Sequence, residues 1–136
     1  LIYYFDQLIL PYEPKKIFIY EGDNDINSGK TPEEILEAND SLVSLIRLKV
    51  SKNVPIYFIT PKPSIARWSL KSTYESYNKK LEAWAASMKN VTVIDVWTPM
   101  LDANGIVLQD VFLGDRLHMN KKGYDIWAKT IAPYLD

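Results

Sequence analysis

The single histidine of the chain, His118, follows an aspartate, Asp115, by three residues in a short polar segment. A carboxylate that accepts the Nδ1–H of an imidazole fixes its tautomer. It also stabilises the imidazolium that forms when the other ring nitrogen takes up a proton. A lone histidine is more often structural than catalytic. This one, however, precedes a helical pattern that begins at Lys121 and lies outside any apolar stripe, which favours a role as a general base.

A second polar segment, Gly22-Asp23-Asn24-Asp25, comes just after an apolar run that ends at Tyr20. It belongs to a stretch, 21–29, whose polar residues predict a loop. Glycine permits a tight turn at that point, and the amide of Asn24 carries two donors that can be aimed at a developing oxyanion. Two alternatives stay open. The segment is also typical of an ordinary Asx turn, and it could form a Mg²⁺ site whose oxygen ligands come from Glu21, Asp23 and Asp25, with a contribution from Asp95.

The hydrophobic patterns around these segments predict strands that alternate with helices. The segment Thr31-Pro32-Glu33-Glu34 has the pattern of a capping box with proline at the first helical position, so a helix should begin there. Alternating strands and helices predict a parallel sheet with helices on both faces, whose ligands bind beyond the carboxyl ends of the strands. The predicted strands are 16–20, 54–60 and 91–96, and the predicted helices are 31–50, 69–88 and 121–132, with the end of another in 1–10.

Length and composition limit the classes of protein to which the chain can belong. A chain of 136 residues suits one domain, 1–136. Its 16 basic and 17 acidic side chains argue against nucleic acid, because there is no basic excess to neutralise phosphates. The absence of cysteine excludes disulfides, thiolate metal sites and a cysteine nucleophile. No apolar run is long enough to span a bilayer, and the compartment stays open.

Together the two polar segments resemble the SGNH hydrolases, also called the GDSL-type esterase/lipase (acylhydrolase) family. Gly22-x-Asn24-Asp25 follows a strand, and the pattern from Asp115 through His118, Asn120 and Gly123 to Trp127 fits the last block of that family. The resemblance implies a three-layer α/β/α, flavodoxin-like fold and a serine esterase that acts on a small-molecule carboxylic ester without metal or cofactor. It also implies the site residues: His118 as general base, Asp115 as its orienting partner, Asn24 as oxyanion donor and Gly22 as the glycine of its block.

The sequence departs from the family in one respect, because the Gly-Asp-Ser block that carries the family's nucleophile is absent. We expect that block, with the first strand of the sheet, upstream of Leu1. The chain alone should then be inactive and should need that segment to complete its sheet. The absent serine also keeps a second hypothesis open, a non-catalytic module that binds a glycan or an ester on the same fold.

Three further residues are candidates for contact with substrate at the same edge of the sheet. They are Asp25, Ser64 and Arg67. The alternative, in which Ser64 caps a turn and Arg67 pairs with a charge on the surface, is equally open.

Overall fold

The computed structural model describes residues 14–135, in which three parallel strands follow one another in sequence order. Strand β1 is Ile17–Tyr20, β2 is Ile56–Ile59 and β3 is Val91–Ile94. In the register of the sheet, Ile17 lies beside Ile56, and Ile56 lies beside Val91. The three predicted strands are therefore confirmed, with ends one or two residues shorter than the apolar runs.

Four α-helices connect and follow these strands in the described part of the chain: α1 Asp23–Asn27, α2 Pro32–Lys49, α3 Lys71–Ala86 and α4 Lys121–Ile131. Short 3₁₀ turns occupy Trp68–Leu70, Thr98–Met100 and Ala132–Tyr134. The helix end predicted in 1–10 lies outside the described residues. None of the helices within 14–135 combines the length and the apolar character that a bilayer crossing requires.

Helix α2 begins where the capping box predicted. The side-chain oxygen of Thr31 accepts the backbone N–H of Glu34 at 3.2 Å, and the Glu34 carboxylate accepts the backbone N–H of Thr31 at 3.2 Å. Pro32 follows as the first helical residue. These reciprocal bonds satisfy two of the N–H groups that a helix start leaves without partners.

Side chains of β1 point alternately into two apolar layers, one on each face of the sheet. Ile17 and Ile19 belong to a core shared with α2 and α3. Phe18 and Tyr20 pack on the other side, in a cluster that also contains Trp127 of α4. Because helices cover both faces, the architecture is the three-layer α/β/α arrangement that the sequence predicts.

The segment 21–29, which the sequence predicts as a polar loop, contains helix α1. Gly22 has a φ of 114°, a left-handed conformation that turns the chain sharply after β1. Its carbonyl oxygen then accepts the N–H of Ile26 at 2.8 Å. The loop prediction is wrong because this polar segment contains the apolar residue Ile26, which is only 3% exposed. Its burial in the core holds the helical turn in place.

Candidate active site

A cleft of about 330 Å³ lies beyond the carboxyl ends of β1 and β2. One wall is polar and comes from the residues after these strands, and the other comes from the loop before α4 and from α4 itself. The lining side chains are Tyr20, Asp23, Asn24, Lys62, Arg67, Leu117, His118, Met119, Tyr124 and Trp127. The cleft therefore brings together three segments that are far apart in the chain, 20–24, 62–67 and 117–127.

His118 and Asp115 form a hydrogen-bonded pair at the edge of this cleft. His118 Nδ1 lies 2.5 Å from Asp115 Oδ2, and the other carboxylate oxygen accepts the backbone N–H groups of Leu117 and His118, each at 2.9 Å. These hydrogen bonds, that of the imidazole first, lower the pKa of Asp115 to about 2. Asp115 is therefore ionised at neutral pH and can hold the imidazole with Nδ1 protonated and Nε2 free to accept a proton.

The loop that carries His118 is folded back on itself. Phe112 and Met119 form an antiparallel bridge, and the N–H of Leu113 donates to the carbonyl oxygen of His118 at 2.7 Å. Arg116 occupies the left-handed region at a φ of 59°, which is costly for a residue with a side chain and tightens the turn between Asp115 and His118.

Asn120 and Gly123 fasten this loop to the start of α4. The side-chain oxygen of Asn120 accepts the N–H of Gly123 at 3.2 Å, which caps the helix, and its amide donates to the carbonyl oxygen of Asp110 at 2.9 Å. A Cβ on Gly123 would lie 2.6 Å from the carbonyl oxygen of Val111 and 2.8 Å from Met119 Cβ. Glycine thus allows the helix to pack directly against the histidine loop.

The side chain of Asn24 is oriented by Arg67. Arg67 Nη1 donates to Asn24 Oδ1 at 3.1 Å. Because a guanidinium has only donors, the oxygen of the amide must face it, and the NH₂ group must be on the opposite side of the side chain. Asn24 lines the cleft with His118, so the structure brings these two predicted site residues together.

Asp23 is the centre of a buried charge cluster under the cleft. Lys62 Nζ donates to one carboxylate oxygen at 2.9 Å, and Arg67 Nη1 donates to the other at 2.8 Å. The hydroxyls of Tyr20 and Tyr74 also donate to this carboxylate. The side chains of Asp23, Lys62 and Arg67 are 10%, 10% and 13% exposed, so the ion pairs are largely removed from water.

Charges in this cluster stabilise one another. Burial alone would raise the pKa of Asp23, but the hydrogen bond from Tyr74 and the two cations outweigh burial and hold that pKa below its usual value. Burial, together with the negative charge of Asp23, raises the pKa of both Tyr20 and Tyr74. Two cations and one carboxylate leave an excess of positive charge beside Asn24.

Sequence reasoning missed Lys62, Tyr20 and Tyr74 as parts of the site. The one available signal for Lys62 was its place between Pro61 and Pro63 directly after a strand, at the edge where ligands bind. Nothing in the sequence indicates that a lysine there turns inward to meet Asp23.

The other predicted site residues lie around the cleft. Gly22 shapes the backbone: its φ is left-handed, and a Cβ there would lie 3.1 Å from Pro61 and 3.3 Å from Tyr77. Asp25 and Ser64 are not among the lining side chains. Asp25 pairs with Lys30 at 3.4 Å, and Ser64 is 2% exposed and accepts the backbone N–H of Arg67, as the capping alternative for this serine predicts.

Two carboxylates of the Mg²⁺ alternative, Asp23 and Asp95, are engaged in other contacts. Asp23 faces Lys62 and Arg67, whereas Asp95 accepts the backbone N–H groups of Trp97 and Thr98 at 2.8 and 3.1 Å. Within residues 14–135, no three histidine or acidic side chains gather closely enough to hold a metal ion. The donor set for Mg²⁺ is thus dispersed in the described part of the chain.

The model of the GDSL-like lipase/acylhydrolase family matches residues 3–126. The chain belongs to this family. Among proteins with curated functions, none matches the chain significantly.

Solved structures of other proteins share the fold. A carbohydrate esterase of family 3 from Talaromyces cellulolyticus is 21% identical, covers 98% of this chain and superposes with a TM-score of 0.78. A structure described as a lipolytic protein of the G-D-S-L family from Desulfitobacterium hafniense is 19% identical, covers 98% of this chain and has a TM-score of 0.80. A second structure so described, from Veillonella parvula, is 26% identical, covers 88% of this chain and has a TM-score of 0.72. The chain spans 65%, 72% and 62% of these proteins respectively, and so less than two thirds of the first and the third.

Proposed function

We propose that this GDSL-family chain belongs to a serine esterase that cleaves carboxylic esters through a Ser-His-Asp triad. The observation that carries the proposal is the pair of His118 and Asp115, whose imidazole lines the same cleft as the Asn24 amide. The nucleophilic serine belongs to the longer protein, in a segment upstream of Leu1. The description of the family that the chain matches, GDSL-like lipase/acylhydrolase, supports this class of reaction.

In the proposed reaction, the serine oxygen attacks the ester carbonyl carbon while His118 Nε2 takes the hydroxyl proton. The carbonyl π electrons move to oxygen, and the Asn24 N–H₂ group donates to the oxyanion of the tetrahedral intermediate. Asp115 stabilises the imidazolium. The C–O bond to the alcohol then breaks as His118 returns the proton to the leaving oxygen. Water repeats the sequence on the acyl-enzyme and releases the carboxylic acid.

A short acyl group on a small or carbohydrate-linked alcohol is the substrate class that we favour. The cleft of about 330 Å³ accommodates a compact group. Its lining includes Tyr124, which is 58% exposed, and Trp127, and aromatic rings of this kind can pack against a sugar. The fold match to a carbohydrate esterase supports the same class.

The test is hydrolysis of p-nitrophenyl acetate by the full-length protein, before and after treatment with a serine-directed phosphonate, with the labelled peptide identified by mass spectrometry. We expect turnover that the phosphonate abolishes, and a label on a serine upstream of Leu1. Lack of turnover, combined with another residue in the position of that serine, would instead support a module that binds ester or glycan without cleaving it.

A further inference from the structure

The contact between Arg67 and Asn24 has a consequence for catalysis that rests on the proposed function. We propose that Arg67 is a positioning residue, which locks the Asn24 amide with its N–H₂ group toward the reacting carbonyl. Arg67 would thus act on the reaction through Asn24 and would not itself need to touch the substrate.

One nitrogen of Arg67 makes both of the contacts that matter. Nη1 donates to Asp23 Oδ1 at 2.8 Å and to Asn24 Oδ1 at 3.1 Å. An Nη atom carries two hydrogens, so one can serve the buried carboxylate and the other the amide oxygen. Asp23 thereby fixes the guanidinium, and the guanidinium fixes the amide.

Asn24 needs this support because its own surroundings are open. It lies in the first turn of α1, a helix of five residues, and its side chain is exposed. An exposed amide samples several rotamers and can rotate by half a turn, which exchanges its oxygen and nitrogen. An amide oxygen that faced the cleft would repel the oxyanion. A donor held in place before the reaction is the one that stabilises a transition state well.

Arg67 is itself held on several sides. Its side chain is only 13% exposed, and its backbone N–H donates to the Ser64 hydroxyl at 3.1 Å. Lys62, Tyr20 and Tyr74 donate the other hydrogen bonds to the Asp23 carboxylate. The guanidinium that contacts Asn24 is therefore fixed in position.

The first test is a double-mutant cycle on kcat in the full-length protein, with p-nitrophenyl acetate as substrate. Arg67→Met keeps the bulk of the side chain and removes its donors. We expect kcat to fall about 10- to 100-fold, less than the about 100- to 1,000-fold typical for loss of an oxyanion donor, with KM within about twofold. In an Asn24→Ala background the same substitution should change kcat by less than about twofold, because its partner is already absent.

Arg47→Met is the matched control. The guanidinium of Arg47 is likewise held by hydrogen bonds, since it donates to the carbonyl oxygens of Val54 and Lys89 at 2.6 and 3.0 Å. Arg47 does not line the cleft. We expect this variant to lower the melting temperature and to leave kcat unchanged. An unchanged kcat in Arg67→Met, or an equal loss in the presence and absence of Asn24, overturns the positioning role.

A crystal structure of the full-length Arg67→Met variant tests the orientation directly, whether or not the wild type cleaves esters. We expect the Asn24 amide to rotate or to occupy several conformers. An amide that keeps its wild-type position without the guanidinium overturns the inference. Absence of turnover in the wild type contradicts the proposed esterase, whereas an active wild type with an insensitive Arg67 variant contradicts only the positioning role.

Discussion

Asp115 holds both the ring and the backbone of His118. Its Oδ2 lies 2.5 Å from His118 Nδ1, and its Oδ1 accepts the backbone N–H of the same histidine at 2.9 Å. One carboxylate therefore sets the tautomer of the imidazole and the shape of the loop that presents it. Since the pKa of Asp115 is lowered to about 2, the carboxylate keeps its charge throughout the range in which an esterase would be assayed.

Replacing this carboxylate by an amide should change the tautomer of His118 while leaving the loop intact. In Asp115→Asn the amide oxygen can still accept the backbone N–H groups, while an N–H₂ facing Nδ1 would leave the proton of the neutral ring on Nε2, the wrong position for a base. We expect kcat of the full-length protein to fall about 10²- to 10⁴-fold. Asp110→Asn is the control, because the exposed Asp110 carboxylate pairs with Lys122. Comparable losses in both variants would argue against a specific role for Asp115.

We expect the Asn24 side chain to supply one hydrogen bond to the oxyanion. We expect Asn24→Ala to lower kcat about 100- to 1,000-fold with little change in KM, because the bond is made mainly in the transition state. Asn27→Ala is a control in the same helix, since Asn27 is exposed and does not line the cleft. Steady-state kinetics on the full-length protein checks both, and unchanged turnover in Asn24→Ala would remove this residue from the mechanism.

Gly123 should tolerate no side chain. A methyl group there would meet the carbonyl oxygen of Val111 at 2.6 Å, so Gly123→Ala must push α4 away from the histidine loop. We expect a loss of about 1 to 3 kcal/mol in the free energy of unfolding, the usual cost of overpacking, together with reduced kcat. Gly114→Ala is the control, since a Cβ on Gly114 meets nothing within 4 Å. Urea unfolding compares the two, and equal stability of the variants would contradict the close packing.

The buried cluster around Asp23 should make a large contribution to stability. In Asp23→Asn the cations of Lys62 and Arg67 lose their shared counter-charge, and we expect the free energy of unfolding at pH 7 to fall by about 3 kcal/mol. Asp125→Asn breaks the exposed pair with Lys121, in which the aspartate is 62% exposed, and should cost less than about 0.5 kcal/mol. Urea titrations of both variants measure the difference, and a cost as small for Asp23 as for Asp125 would contradict the account.

The lowered pKa of Asp23 predicts how acid changes the stability of the fold. The pKa of Asp23 is lower in the folded protein than its usual value of about 3.9. Its contribution to stability is therefore complete above that value and is lost as the pH falls through the folded-state pKa. We expect the free energy of unfolding of the wild type to decline below about pH 4, and the decline to be shallower in Asp23→Asn. Parallel pH curves for the two proteins would show that Asp23 is not responsible.

The sequence predicted the elements that local patterns determine. The start of α2 could be predicted from Thr31, Pro32 and Glu34, because the capping box consists of contacts within one turn. The strands and the pairing of Asp115 with His118 follow from equally local rules. Asn24 could be placed at the edge where ligands bind because it follows a parallel strand, whereas its place beside His118 was implied by the family resemblance.

What the sequence could not show depends on contacts between distant segments. The Asp23 cluster joins residues that are 39 to 51 positions apart, and a buried lysine looks like a surface one until its partner is known. Helix α1 escaped prediction for the same reason, since the burial of Ile26 outweighs the weak helical preference of its polar neighbours. Arg67 stays a candidate for substrate contact because it lines the cleft, and its side chain also contacts Asp23 and Asn24.

The most direct test of the central claim is the rate at which the acetyl group transfers to the full-length protein, followed by rapid mixing with p-nitrophenyl acetate. We expect rapid release of nitrophenolate as the wild type is acylated. In His118→Ala we expect acylation that is at least about 1,000-fold slower, because no base remains to take the hydroxyl proton. Acylation of His118→Ala at the wild-type rate would contradict the assignment of His118 as the general base.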